Sequence, residues 1–228
     1  MIASRRRFYL GLALMAGFLA VLAVMFMPLF GGMNALNYLD ALYNSISKGS
    51  AYYISGLAEA ARDHDGAVID LTLTLEDETQ AAGVAPLFEA AGAAVEPVGA
   101  VLRVRGDLGL ILARCIEDSD AMFANRGEGL RDRYGYDEKR ALYNWWLALK
   151  AMDRDLKKQR RFDEADFVVK VEKKAVECAY NYYGIEPQKI GSKIWIVLFS
   201  LVFYVVYTVW YGFAIIFMFE GWGLKLSH

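Results

Sequence analysis

The side chains best suited to covalent chemistry in this sequence are two cysteines. We expect the region that holds Cys115 and Cys178 to face an oxidising compartment, where a disulfide between them closes a long loop worth about 3–5 kcal/mol in the entropy model. Both cysteines also fall on apolar helical stripes, where an unbonded cysteine packs as a small hydrophobic side chain. The sequence leaves both interpretations open. It contains no CxxC pair, which argues against a thiol redox site.

The one internal histidine, His64, lies between Asp63 and Asp65. Such a cluster has donor atoms for a metal ion, but a turn that closes a helix before Gly66 explains the same residues without one. No GxSxG motif and no glycine-rich phosphate loop is present. We therefore predict no catalytic residue, no cofactor and no metal site. An envelope enzyme with an unfamiliar site around His64 is kept as a third hypothesis.

Two clusters of charged residues are predicted to lie on solvent-exposed surface without a binding role. The acidic residues Glu117, Asp118 and Asp120 are predicted to form an exposed helix face. A basic cluster at residues 157–161 falls at a predicted helical turn and has no motif for reading nucleic acid. We predict no nucleic-acid partner and identify no small-molecule substrate.

Two long apolar runs set the architecture. Residues 8–30 and 194–219 carry no charged side chain. As helices they extend about 35 and 39 Å, enough for a hydrocarbon layer of about 30 Å. The net charge of −2 indicates no class of partner. The sequence predicts a membrane protein in which two transmembrane helices, N- and C-terminal, flank an α+β soluble domain.

The arginines at residues 5–7 predict the orientation. Positive charge before the first span favours a cytoplasmic N-terminus. Residues 1–7 and the tail at 220–228 are then cytoplasmic, and the domain between the spans is extracytoplasmic. Four lysines near the second span (Lys173, Lys174, Lys189 and Lys193) oppose this orientation, but long loops translocate largely regardless of charge. A twin-arginine export signal is an alternative to the uncleaved signal anchor that we predict.

The two spans carry candidate packing faces. Small residues that permit close helix approach recur on the first span: Ala13, Ala16, Gly17 and Ala20. Aromatic residues at intervals of four recur on the second: Phe199, Phe203, Tyr207 and Tyr211. These faces fit packing of the spans together with lipid contact, docking of other integral membrane subunits, or contact with a quinone or pigment. Neither span contains a histidine, so the spans cannot ligate a haem through one.

The intervening chain divides into four predicted segments. Residues 31–64 form amphipathic helices, 65–127 a small α/β module, 128–135 a glycine- and charge-rich connector, and 136–185 an antiparallel helical hairpin. The module has the order strand, helix, strand, strand, helix. Its helix at 77–91 is expected to be broken by Pro86. Its second and third strands, 93–96 and 100–105, are expected to flank a turn at 97–99.

The predicted hairpin has two apolar seams. The first is Leu142, Trp145, Leu149, Met152 and Leu156, and the second is Val168, Val171, Ala175, Cys178 and Tyr182. Residues 157–163 form the tip, and the seams pack on each other or on the α/β module. Trp146 widens the apolar face, and we regard Trp145 and Trp146 as candidate docking residues.

The sequence favours a non-catalytic accessory, scaffold or assembly subunit of a complex in a bacterial-type cytoplasmic membrane. Its predicted partners are other integral membrane subunits and the lipid bilayer. The alternative is an extracytoplasmic sensor or ligand-binding module anchored by two spans. A well-formed apolar pocket in the domain favours this alternative.

Overall fold

The computed structural model describes residues 2–224, so the predictions for Met1 and for residues 225–228, with His228, lie outside it. In chain order the elements are α1 (Arg5–Met25), α2 (Ala35–Ser50), α3 (Ile54–Ala61), β1 (Val68–Thr74), α4 (Glu78–Ala90), β2 (Ala94–Val98), β3 (Val101–Asp107), α5 (Leu108–Phe123), α6 (Glu128–Tyr134), α7 (Glu138–Lys158), α8 (Phe162–Val171), a π-helical segment (Glu172–Glu177), α9 (Cys178–Tyr182) and α10 (Ile190–Trp222). They form two compact units. The terminal unit holds the chain up to Gly49 and from Pro187 onward, and the central unit is Ser50–Glu186.

Two long apolar helices, α1 and α10, dominate the terminal unit. They have 21 and 33 residues, or about 32 and 50 Å of helix. Both are long and apolar enough to cross a membrane, and few residues of their most apolar stretches are buried. They pack antiparallel, since Arg7 pairs with Glu220 at 3.0 Å and the ring of Phe18 stacks on Tyr207 at 4.2 Å.

Helix α1 ends earlier than the apolar run. We predicted a span to residue 30, but the helix stops at Met25 and a bridge joins Phe30 to Met33. Pro28 explains the difference, because proline disfavours helical geometry at the residue before it. The second predicted span, 194–219, lies within α10.

The central unit contains an antiparallel sheet of three strands in the order β1-β3-β2. Its elements follow the predicted order of strand, helix, strand, strand, helix. The predicted turn is wrong by two residues, because Pro97 lies within β2 and Gly99 with Ala100 forms the turn. Proline is tolerated there because β2 is an edge strand. Gly99 has φ +60°, as the first position of a tight II′ hairpin turn requires.

Helix α4 continues through Pro86, contrary to the predicted break. A proline inside a helix removes one backbone donor and opens the turn before it. Side chains of the central unit bond that turn, since Tyr136 Oη and Asn144 Nδ2 donate to the carbonyl oxygen of Gly83 at 2.8 and 2.9 Å.

The predicted connector at 128–135 is mostly helix α6. Its apolar side chains Leu130 and Tyr134 lie one turn apart and are both buried. Two apolar positions are too few for a recognisable helical period. Gly135 ends the helix with φ +73°, the left-handed conformation usual after a helix C-terminus.

The hairpin forms as α7 followed by α8, the π-helical segment and α9. Its tip is narrower than predicted, since only residues 159–161 separate α7 from α8. The second seam is correct through Ala175 and shifts beyond it. Ala179 is fully buried there, whereas Cys178 and Tyr182 are only half-buried. The wider π turn rotates the following residues about the helix axis, so a strict 3.5-residue period fails at that point.

The hairpin is part of the core of the central unit and not a free-standing arm. Helix α7 packs on β1, α4 and α8. The tip also covers the outer edge of β1 through three side-chain contacts: Asp155 Oδ2 accepts from the Thr72 amide at 3.0 Å, Gln159 Nε2 donates to Asp70 O at 2.8 Å, and Arg161 donates to Val68 O at 3.1 Å. An open strand edge invites pairing with other chains, so these contacts protect it.

Candidate functional site: the aromatic groove of the hairpin

A groove of about 390 Å³ opens on the hairpin, between α7 and the turns that come after α8. We call it the aromatic groove, and its lining residues are Leu142, Tyr143, Trp146, Val176, Glu177, Tyr180 and Asn181. A smaller recess of about 300 Å³ shares Tyr143 and Tyr180 and adds Lys139 and Arg140. This is a concave apolar site with a few polar groups, the usual form of a binding site.

Helix α7 presents the aromatic side of the groove. Tyr143 and Trp146 are three residues apart and so lie on one helix face. Their rings stack with centroids 5.8 Å apart. Leu142 is fully buried beneath them. One face of α7 therefore packs in the core, and the neighbouring face lines the groove.

The π-helical segment positions the opposite wall. Glu177, the last residue of this segment, and Tyr180, which follows it in α9, both line the groove. Trp146 Nε1 donates to Glu177 Oε1 at 3.1 Å, which fixes the indole. Tyr180 remains 43% exposed. Single-turn π segments are often found at functional sites.

The rim of the groove is mainly basic. The Lys150 ammonium lies 3.8 Å from the centroid of the Trp146 ring, and the Arg140 guanidinium lies 5.3 Å from that of Tyr143. Lys139 lines the adjoining recess. Within residues 2–224 none of these three cations forms a salt bridge. Glu177 is the one acidic residue of the lining.

The two candidate docking tryptophans have different surroundings. Trp146 lines the groove, but Trp145 is fully buried and its Nε1 donates to Asp118 Oδ2 at 2.8 Å. Asp118 is also fully buried, so its assignment to an exposed acidic face is wrong. It accepts from Tyr134 Oη and pairs with Arg133. Burial raises the pKa of the Asp118 carboxyl, against the lowering effect of these donors.

Asp118 thus joins α5, α6 and α7 and supports the helix that carries the groove. The sequence contains a sign of its burial, because Cys115 and Met122, three residues before and four after it, are apolar and share its helix face. The sequence contains no comparable sign for Glu177 or Tyr180, because the apolar pattern of the second seam does not reveal the π turn.

The two cysteines are not joined in the part of the chain that the structure describes. Cys115 is fully buried, and burial raises the pKa of its thiol well above the usual value. Such a thiol is a poor nucleophile. Cys178 Sγ lies 3.4 Å from the Ala51 carbonyl oxygen.

His64 lies in a 3₁₀ turn before β1, and its ring stacks on Phe167 with centroids 4.7 Å apart. The described residues contain no group of three or more side chains placed to hold a metal ion.

The small-residue face predicted on α1 is only partly a packing face. Gly17 contacts the ring of Trp210, whereas Ala13, Ala16 and Ala20 are exposed. The two helices also approach closely at Gly11, which the sequence did not single out. A Cβ there would lie 2.6 Å from the Met218 amide nitrogen.

The aromatic stripe of α10 also divides. Phe203 and Tyr207 are half-buried against α1, whereas Phe199 is 69% and Tyr211 43% exposed. Residues four apart advance by about 400° around a helix, so a stripe at this interval drifts by about 40° per step. The face that meets α1 instead mixes steps of three and four. It includes Phe203, Tyr207, Trp210, Ala214, Met218 and Gly221.

No protein-family model, curated protein or solved structure matches this chain.

Proposed function

We propose that the chain is a non-catalytic subunit of a membrane complex, held in the bilayer by α1 and α10 and bound to a partner protein through the aromatic groove. The observation that carries the proposal is the groove itself. Exposed tyrosines beside a half-buried tryptophan, with arginine next to them, have the composition of binding hot spots in protein interfaces.

Anchoring is supported by the exposed surface of the terminal unit. Large apolar residues of α10, among them Trp195, Tyr204 and Phe213, face outward. Such a surface is costly in water and stable in a hydrocarbon layer. The arginines in the first turn of α1 favour a cytoplasmic N-terminus, with the central unit outside the cytoplasm.

The chemistry of the groove favours an acidic partner segment that contributes a large apolar side chain. The aromatic lining favours the apolar side chain, and the three cations of the rim favour carboxylates beside it. Cations that already lie over Trp146 and Tyr143 disfavour a cationic ligand on the same rings.

Site-specific photocrosslinking in the native membrane tests the docking surface. A photoreactive residue at Tyr180 is expected to crosslink one defined partner, and Trp146→Ala is expected to abolish that product. The matched control is Phe162, which is 56% exposed on the same hairpin and does not line the groove. Equal crosslinking from Phe162, or no effect of Trp146→Ala, would contradict the assignment.

A second function, a small-molecule binding module, is favoured by a recess of about 420 Å³ between α3 and α5, whose lining is partly polar and partly apolar. Tyr52 Oη donates to Asp120 Oδ1 at 2.7 Å beside it, and this hydrogen bond raises the pKa of Tyr52. Ligand-induced thermal stabilisation that Arg62→Ala removes, but Trp146→Ala does not, would support this module over the docking subunit.

A further inference from the structure

The terminal unit contains an apolar pocket of about 450 Å³ that is distinct from the aromatic groove. Its lining residues come from four segments: the last turns of α1 (Ala20, Val21, Val24 and Met25), the loop after it (Leu29 and Phe30), the start of α2, and the first turns of α10. Its size lies within the range of small-ligand sites.

The lining offers almost no hydrogen-bonding group to an occupant. The lining contains one serine, Ser200, and its hydroxyl already has partners within the protein. Ser200 Oγ donates to Val197 O at 2.8 Å and lies 2.6 Å from Tyr43 Oη. The ring of Tyr38 stacks on Phe30 with centroids 5.3 Å apart. A polar ligand would lose its hydrogen bonds to water there without replacement. The chemistry of the lining therefore selects a hydrocarbon.

A lysine shares one face of α10 with two residues of the lining. Lys193 lies one turn before Ile196 and two turns before Ser200, so all three share one face of α10. Ile196 and Ser200 line the pocket. A lysine above an apolar cleft can contact a phosphate while its methylene stem covers apolar surface.

We infer that this pocket holds one acyl chain of a membrane phospholipid, with the lipid phosphate beside Lys193. The inference rests on the proposed anchoring of α1 and α10. Position supports the lipid as the source of the chain, because the pocket lies where α1 ends and α10 begins, between helix faces that continue outward as exposed apolar surface.

Native mass spectrometry of the full chain, released from nanodiscs of dioleoylphosphatidylglycerol, tests the inference. The wild-type chain is expected to retain a bound phospholipid. The double variant Ala20→Phe, Ala35→Phe fills the pocket from two sides. Because the added rings exclude at least two methylene groups of the acyl chain, binding is expected to fall about tenfold or more. The matched control is Ala13→Phe, which adds the same ring to an exposed position of α1 outside the pocket.

Equal lipid retention by the filled and control variants would overturn the inference, as would retention of detergent alone by the wild type. Dimerisation that only the filled variant loses would assign the pocket to a second copy of the chain and overturn it too. Lys193→Gln is expected to weaken retention of the lipid, and unchanged retention would refute the phosphate contact.

Alkaline carbonate treatment of native membranes separates the two proposals. A chain that stays in the membrane but retains no lipid refutes the pocket alone, whereas release from the membrane refutes the anchoring.

Discussion

Replacing Gly11 with alanine is expected to separate α1 from α10. An alanine Cβ at this position would lie 2.6 Å from the Met218 amide nitrogen and 2.8 Å from the Ala214 carbonyl oxygen, and ordinary contacts begin at 3.4 Å. The Cβ would therefore lie about 0.8 Å too close to the Met218 amide nitrogen, and backbone atoms cannot rotate away as a side chain can. The two helices must therefore move apart.

Separation also weakens two hydrogen bonds that join the helices. Trp210 Nε1 donates to Leu14 O at 3.0 Å, and Tyr207 Oη donates to Phe18 O at 2.8 Å. Overpacking of this kind costs about 1–3 kcal/mol. For a chain of this size the loss corresponds to a fall of about 2–12 °C in Tm.

The assay is thermal unfolding of the purified full chain in one mild detergent, monitored by tryptophan fluorescence. Gly212→Ala is the matched control, because a Cβ at Gly212 of α10 meets no atom within 4 Å. Alanine is also the better helix former, so this control is expected to leave Tm unchanged or raise it. A Tm for Gly11→Ala that equals the control value would refute the packing of the two helices.

Two further predictions concern the central unit. Asp118→Ala is expected to lower the free energy of unfolding by about 3–5 kcal/mol, because it leaves Arg133, Tyr134 and Trp145 without the acceptor of their hydrogen bonds. Hydrogen exchange of the amides in α6 and α7 measures this loss. Protection within about 1 kcal/mol of the wild type would contradict the prediction. Glu172→Gln is expected to stabilise the chain near pH 7, because burial raises the pKa of Glu172 above its ordinary value of 4.5. Native Glu172 binds its proton more tightly than the unfolded chain, so its contribution to stability falls as pH rises from about 4.5 through the folded pKa. The advantage of the variant should therefore vanish below that window, and a difference that does not depend on pH would contradict the assignment.

Periodicity located most elements, since the hydrophobic pattern changes clearly between helix, strand and apolar run. The alternation in β1 gives a strand whose residues Ile69, Leu71 and Leu73 are all fully buried. Local patterns failed where tertiary contacts decide. Pro86 lies within a helix, and Tyr136 and Asn144 donate hydrogen bonds to the Gly83 carbonyl oxygen in the turn before it.

The candidate site was only partly predictable. The apolar face of α7 pointed to Trp145 and Trp146 together, yet only packing shows which of two adjacent tryptophans enters the core. Trp145 is buried and donates a hydrogen bond to the carboxylate of Asp118, a residue 27 positions away. Glu177 belongs to a π-helical segment, which a regular helical period in the sequence does not reveal.

The central claim is that the chain joins a membrane complex through the aromatic groove. The most direct test is extraction of the tagged full chain from its native membrane in a mild detergent, followed by native electrophoresis and mass spectrometry. We expect a discrete high-mass band with a stoichiometric partner, which is lost with Trp146→Ala and retained with Phe162→Ala. A lone monomer or homo-oligomer from the wild-type chain under several mild detergents, or a complex that survives Trp146→Ala unchanged, would contradict the claim.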